Sequence, residues 1–230
     1  MTAGHKNIVI PDKEAGNKRT LYLIDIENIC GMPNPTVRAV KNARRMILAV
    51  MSPNSPHDIF AVGCDPVNAK SVKIGFPEKS KDGKKVRFGI AKPGKDGGDK
   101  ALLFWIDQHL GDVKDWDRIV LCSGDGIFVE VCRELRNRGA RFFLISRSRI
   151  SSSQKLTDSV PKRFRFYLED ICAEAAFSAG AISESRLNTY LKKYLIDKWK
   201  KTNKQNPNST AGWRRSSTRK SGESFGGRGR

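Results

Sequence analysis

The chain has 230 residues, 43 Lys and Arg against 24 Asp and Glu, a formal charge of +19, and 38% hydrophobic residues. That length supports one buried core, or at most a domain with an appendage. No stretch approaches the ~20 apolar residues of a membrane helix. The basic excess goes beyond what solubility needs, so the expected partner is a polyanion and not a membrane.

Residues 1–18 are polar with scattered Gly and predict a flexible start. Met1 to Pro11 shows no apolar run or small-residue cleavage site of a secretory signal, so the expected location is cytoplasmic. Leu21 to Ile24 is a short continuous apolar run, the signature of a strand buried on both faces. After Pro33 and Pro35, Val37, Val40, Ala43 and Ile47 to Val50 fit a helical stripe. Ile59 to Val62 is a second buried strand. Val72 to Phe76 and Val86 to Ile90 read as two more strands, joined by a Lys-rich hairpin around Asp82-Gly83.

Asp99 to Leu110 is a helix by pattern, Ile119 to Cys122 a strand, and Ser123-Gly124-Asp125-Gly126 a turn. Phe128 to Arg138 is a helix stopped by Gly139. Phe142 to Ile145 is a strand, Phe164 to Leu168 an extended segment, and Asp170 to Phe177 a small helix. Ser183 opens a further helix, whose Leu187, Tyr190, Leu191 and Leu195 form an apolar face suited to docking on the domain or to a homodimer. From Lys201 onward eight basic residues face Glu223 alone, with almost no core formers, which predicts a disordered basic tail.

Alternating strands and helices over residues 20–170 predict an α/β fold: a three-layer α/β/α domain with a mostly parallel sheet, plus a C-terminal helix. The expected division is a flexible 1–18, a domain at 19–172, a helical appendage at 173–201 and a basic tail at 202–230. The five cysteines form no CxxC pair and the three histidines share no ligand spacing, so neither a disulfide framework nor a zinc knuckle is expected.

Ligands of an open parallel sheet sit beyond the carboxyl ends of its strands. Asp25 follows the first strand, Asp125 follows Ile119 to Cys122, and Asp99 opens a helix, so three carboxylates can meet at one edge. An Asp at such a place is often only a helix cap or turn former. Three together in a basic chain call for a divalent cation, and Mg2+ or Mn2+ suits a few carboxylates with phosphate oxygens. Gly89 to Lys95 matches the first seven positions of a phosphate-binding loop. Asp96 stands where Ser or Thr is needed and Pro93 removes a donor, which argues against an NTPase.

Leu23-Ile24-Asp25-Ile26-Glu27-Asn28-Ile29 resembles the opening motif of NYN domains of the LabA-like type, within the PIN-like nuclease superfamily. Gly97-Gly98-Asp99 resembles the family's central segment and Ser123-Gly124-Asp125-Gly126 its Ser-Gly-Asp turn, all in family order over roughly residues 19–150. The resemblance implies a PIN-like, Rossmann-like fold and a divalent-metal-dependent ribonuclease. Asp25, Asp99 and Asp125 would be its acidic cluster, Asn28 would bind a phosphate or hold Asp25, and Ser123 would orient the turn. The sequence departs from the pattern at Ile127, where the family has a second turn acid, and at Phe104-Trp105, near where a further acid often stands. Glu27 or Glu130 could substitute. A catalytically degenerate RNA-binding module or adaptor is the alternative.

Lys79, Lys81, Lys84, Lys85 and Arg87 make a basic hairpin tip that Lys92 and Lys95 extend. Lys81, Lys84, Lys85 and Lys95 are the expected backbone contacts for RNA, although a Lys-rich edge also serves against sheet aggregation. Arg133, Arg136, Arg138, Arg141, Arg147 and Arg149 form a second basic series. In the tail, Trp213 and the RGG-like Phe225 to Arg230 suit stacking and salt-sensitive RNA contact.

Overall fold

The structure is a computed structural model and describes residues 19–51, 55–77, 85–90 and 97–205. The flexible start and the basic tail expected from composition lie outside these residues. Chain contacts define two compact units, residues 1–194 and 195–230.

Six strands make one sheet: β1 (Thr20–Asp25), β2 (Ile59–Cys64), β3 (Lys85–Ile90), β4 (Arg118–Cys122), β5 (Phe142–Ser146) and β6 (Arg165–Tyr167). Their order is β3-β2-β1-β4-β5-β6, and every neighbouring pair is parallel. The chain therefore winds outward from β1 in one direction, returns at β4 and winds outward in the other. The crevice between β1 and β4 is the point where the winding reverses.

The helices are α1 (Ile26–Cys30), α2 (Val37–Val50), α3 (Ala69–Gly75), α4 (Gly97–His109), α5 (Val129–Asn137), α6 (Gln154–Asp158) and α7 (Glu184–Gln205). Side chains alternate across a strand, so the sheet feeds two cores. Tyr22, Ile24, Phe60, Val62, Val120 and Ile145 meet Val40, Met46 and Ile47 of α2, Val72 of α3 and Leu187 of α7. Leu21, Leu23, Ala61, Leu121 and Leu144 meet Leu102, Trp105 and Ile106 of α4 and Leu135 of α5. This is the expected α/β/α sandwich. All five cysteines are buried and free.

One expectation needs correction. Val72 to Phe76 is not a strand: residues 69–75 form α3, and β3 runs parallel to β2, with Lys85 opposite Ile59 and Gly89 opposite Gly63. The two runs therefore do not pair as strands, and the Lys-rich stretch around Asp82-Gly83 lies outside the described residues. Apolar residues at 72, 74 and 76 suit either period, and tertiary packing decides: Val72 and Phe76 enter the core while Ile74 faces outward. The first unit runs as far as Tyr194. The buried amide of Asn42 donates to Ala179 O and Ile182 O, both at 2.9 Å. Leu187 and Leu191 are buried in the core of their own chain.

Gly63 in β2 governs how close α4 comes to the sheet. A Cβ there would lie 2.5 Å from Gly98 O and 2.9 Å from Leu102 Cβ. Gly63→Ala is expected to push the start of α4 away and to cost about 1–3 kcal/mol by overpacking. That corresponds to a thermal midpoint lower by about 3–10 °C, read by circular dichroism.

Candidate active site

Asp25 closes β1 and caps α1. Its extended backbone (φ −87°, ψ 99°) turns the carboxylate back over the helix, where Oδ1 accepts from Asn28 N at 3.2 Å. The other oxygen, Oδ2, accepts from Ser123 Oγ at 2.8 Å. Parallel register puts Ile24 beside Cys122, so the two chain turns leave the sheet side by side. Ser123 Oγ in turn accepts from Asp125 N at 3.0 Å, and Ser146 Oγ of β5 donates to Ser123 O at 2.9 Å. Asn28 Oδ1 accepts from Gly124 N at 2.8 Å. Thus Asn28 holds the Ser-Gly-Asp turn, while its own backbone holds Asp25.

Asp99, in the first turn of α4, faces Asp25. Asp25 is 2% exposed. Burial pushes its carboxyl well above the usual range; the charge of Asp99 pushes the same way, as does a hydrogen bond between the two carboxyls. Ser123 and Asn28 oppose the rise by bonding to the charged form. Two carboxyls can share a hydrogen bond only if one keeps a proton, so without a cation the pair holds at most part of its charge.

Glu27 was expected at most as a spare acid, and the structure gives it a bracing task. Its Oε1 accepts from Asp65 N at 2.9 Å and Asn68 Nδ2 at 2.7 Å, which clasps the β2–α3 turn. Asn68 Nδ2 also donates to Pro33 O at 2.8 Å. A Cβ on Gly98 would come 2.7 Å from Glu27 Oε2, so the clasp also borders the residue before Asp99. Burial raises the Glu27 carboxyl, and the bonds from Asn68 and Asp65 limit the rise. Burial, then Glu27 and Asp65, push the Cys64 thiol to about 12, so it is no nucleophile here.

Asp125 stands apart from the pair. Its Oδ1 accepts from Ile127 N at 3.0 Å and caps the 3-10 turn Gly126–Phe128. Among the described residues no three His, Cys, Asp or Glu side chains come together closely enough to hold one metal ion. The structure therefore brings Asp25 and Asp99 together, with Ser123 and Asn28 as their supports. It links Asp125 to them only through Ser123. Glu130 pairs with Arg133 at 2.5 Å on an exposed stretch of α5.

Lys81, Lys84 and Lys95 lie outside the described residues. Lys85 opens β3 opposite Ile59, at the amino edge of the sheet, whereas Asp25 is level with Gly63 at the carboxyl edge. The arginine series is largely occupied in bracing loops. Arg149 bonds Glu169 at 2.7 Å and Asp170 at 2.8 Å, Arg147 donates to Phe177 O at 2.9 Å, and Arg136 donates to Ser159 O.

The sign of the pH effect follows from the pair. An unfolded Asp titrates at about 3.9, and Asp25 in the fold titrates higher. Its contribution to stability is therefore full below about pH 4 and is lost as pH rises through the folded value. Asp99→Asn removes the facing charge but keeps a group able to donate to Asp25. Each unit of relief gives about 1.4 kcal/mol, against about 0.5 kcal/mol for a lost first-turn charge on α4. In EDTA at pH 8 the variant should melt about 2–4 °C above the parent for one unit of relief, and the advantage should shrink toward pH 4. A lower midpoint across the whole range would contradict the repulsion.

The NYN domain family model matches residues 19–168. No curated protein matches the chain. Among solved structures, the chain is similar to a protein of unknown function from Vibrio parahaemolyticus, at 15% identity and a TM-score of 0.43, covering 68% of this chain and 95% of that one. With its motifs in family order and the family match running from β1 through β6, the chain belongs to the NYN domain family of the PIN-like nuclease superfamily.

Proposed function

We propose that the chain is a divalent-metal-dependent ribonuclease, acting in the reducing cytoplasm and hydrolysing RNA phosphodiesters at the Asp25–Asp99 pair. One observation carries this reading: two carboxyls face each other at the crevice between β1 and β4, one of them buried, in a chain of charge +19. The donor set suits Mg2+ or Mn2+, since such ions take one or two carboxylates and complete their shell with water and phosphate oxygens. Asp25 and Asp99 would hold the ion, which when bound would polarise the phosphate and acidify a water.

The chain's own groups do the positioning. Ser123 and the Asn28 N–H hold the Asp25 carboxylate from two sides, so both oxygens have fixed directions. Asn28 fixes Gly124, and Glu27 fixes the turn that flanks α4. Asp125 is assigned as an outer acid of the same edge, acting through the Ser123 link. The five buried free thiols fit a reducing compartment.

Labelled single-stranded and hairpin RNAs, incubated with Mn2+ or EDTA, test the reading. Cleavage should require the metal and fall at least 100-fold in Asp25→Asn and in Asp99→Asn, about 2.7 kcal/mol of barrier or more. Ser123→Ala, which only loosens Asp25, should lose about 10-fold. Undiminished cleavage by Asp99→Asn would reject the site, and an unchanged Asp125→Asn would remove Asp125 from it. A second reading draws on Ile127, 39% exposed where the family has an acid, and on the pair of acids in place of a trio. Tight RNA binding with no turnover in Mn2+ would decide for a binding module.

A further inference from the structure

We infer that the groove between α2 and the end of α3, bounded by Glu184, is a second RNA-binding surface that follows the phosphate backbone of a single strand. The inference rests on RNA as the partner, but not on its cleavage.

The groove has a volume of about 650 Å3, a size that accommodates a nucleotide-sized group. Arg38, Lys41, Arg44 and Arg45 line it against the one carboxylate of Glu184. Positions 38, 41 and 45 follow the three- and four-residue steps of one helical face. At 1.5 Å per residue they spread cations along about 10 Å of the α2 axis. A single compact anion would engage one or two of these groups; a chain of phosphates engages the line. An apolar strip runs alongside: Ile74 is 47% exposed, and Pro77 continues the wall. Cations beside an apolar strip suit the alternation of phosphate and base along a strand.

Most of the cations are already held in place, so binding need not immobilise them all. Arg38 Nη2 donates to Gly180 O at 2.7 Å, and Arg45 bonds Asn188 and lies 3.9 Å from Glu184. The guanidinium of Arg44 rests over the rings of Phe60 and Phe76, at 6.0 and 5.8 Å. Lys41 is exposed at the centre of the line. The groove is also continuous in sequence with the candidate active site. α2 follows α1, which Asp25 caps, and α3 follows Asn68, which bonds Glu27.

Lys41→Glu is the informative variant, because its side chain is exposed on α2 and the change reverses charge at the centre of the line. Lys162→Glu, in the exposed turn before β6, makes the same change in net charge elsewhere. Full-length parent and variants would be titrated into a fluorescein-labelled single-stranded 20-mer RNA in EDTA, where cleavage is off, from 50 to 200 mM KCl. Lys41→Glu should weaken binding about 10-fold at 100 mM and lower the salt slope by about 0.7, the value for one phosphate contact in a single strand. Lys162→Glu should stay within 2-fold. Equal effects of the two variants, or no RNA binding by the parent, would overturn the inference. So would polyglutamate that displaces RNA at matched charge, since the groove would then prefer acidic peptide. A Lys41 effect in a chain that never cleaves RNA in Mn2+ supports the groove and removes the nuclease reading; cleavage with equal variants does the reverse.

Discussion

Two carboxyls held face to face in a place sheltered from water are the constraint around which this fold is arranged. Asp25 and Asp99 each raise the energy of the other's charged form, and burial raises it further. Among the described residues, the groups that oppose the rise at Asp25 carry no charge. They are the hydroxyl of Ser123 and the backbone N–H of Asn28. Such donors steady a carboxylate without cancelling its charge, so the site stays attractive to a cation from outside. Meanwhile the arginines of the same edge are directed elsewhere. Arg149 is tied to Glu169 and Asp170, and Arg147 to the carbonyl of Phe177.

Sheet topology makes the meeting possible. Because β1 is central and β4 lies next to it, the turns after both strands leave at the same level, and Ser123 reaches Asp25 across 98 residues of sequence. Asp99 comes from the other flank, on a helix that crosses the end of β2. That helix must approach closely, and the approach uses glycine on both sides of the contact, Gly63 on the strand and Gly98 on the helix. A side chain at Gly63 would displace the first turn of α4, and with it the carboxyl of Asp99, while one at Gly98 would press on the Glu27 carboxylate. Close packing therefore fixes the geometry of the acids as firmly as hydrogen bonding does.

The parts of this arrangement that were legible in the sequence are those with local causes. Leu21 to Ile24 and Ile119 to Cys122 read as buried strands because both their faces are covered, and a polar turn directly after such a run must lie at a sheet edge. Gly139 reads as a helix stop and adopts φ +83°. The edge rule alone placed Asp25, Asp99 and Asp125 on equal terms. It could not separate them, since the distinction lies in where Asp125 spends its oxygen, on the N–H of Ile127 two residues on. Glu27 left no local trace at all: its partners Asp65 and Asn68 are 38 and 41 residues away. The misread α3 has a similar cause. Seven residues make only two helical turns, too few to establish a period, and the packing of Gly75 against Val40 of α2 is a tertiary fact.

A purely structural account of Asp25 has to explain its energetics. A capping side chain is worth about 1 kcal/mol to its helix, and α1 is only a five-residue helix. Asparagine or serine would cap it as well, with no charge to bury. A carboxyl raised well above its ordinary range gives up about 1.4 kcal/mol for every unit of that rise once the pH passes the folded value. A second acid facing it enlarges the loss, so the cap is the smaller of the two effects. Asp125 shows the contrast within the same edge: it caps a turn of similar length from a half-exposed position. Capping therefore accounts for Asp125 and leaves Asp25 and Asp99 unexplained, unless a ligand of positive charge reverses the sign of their interaction.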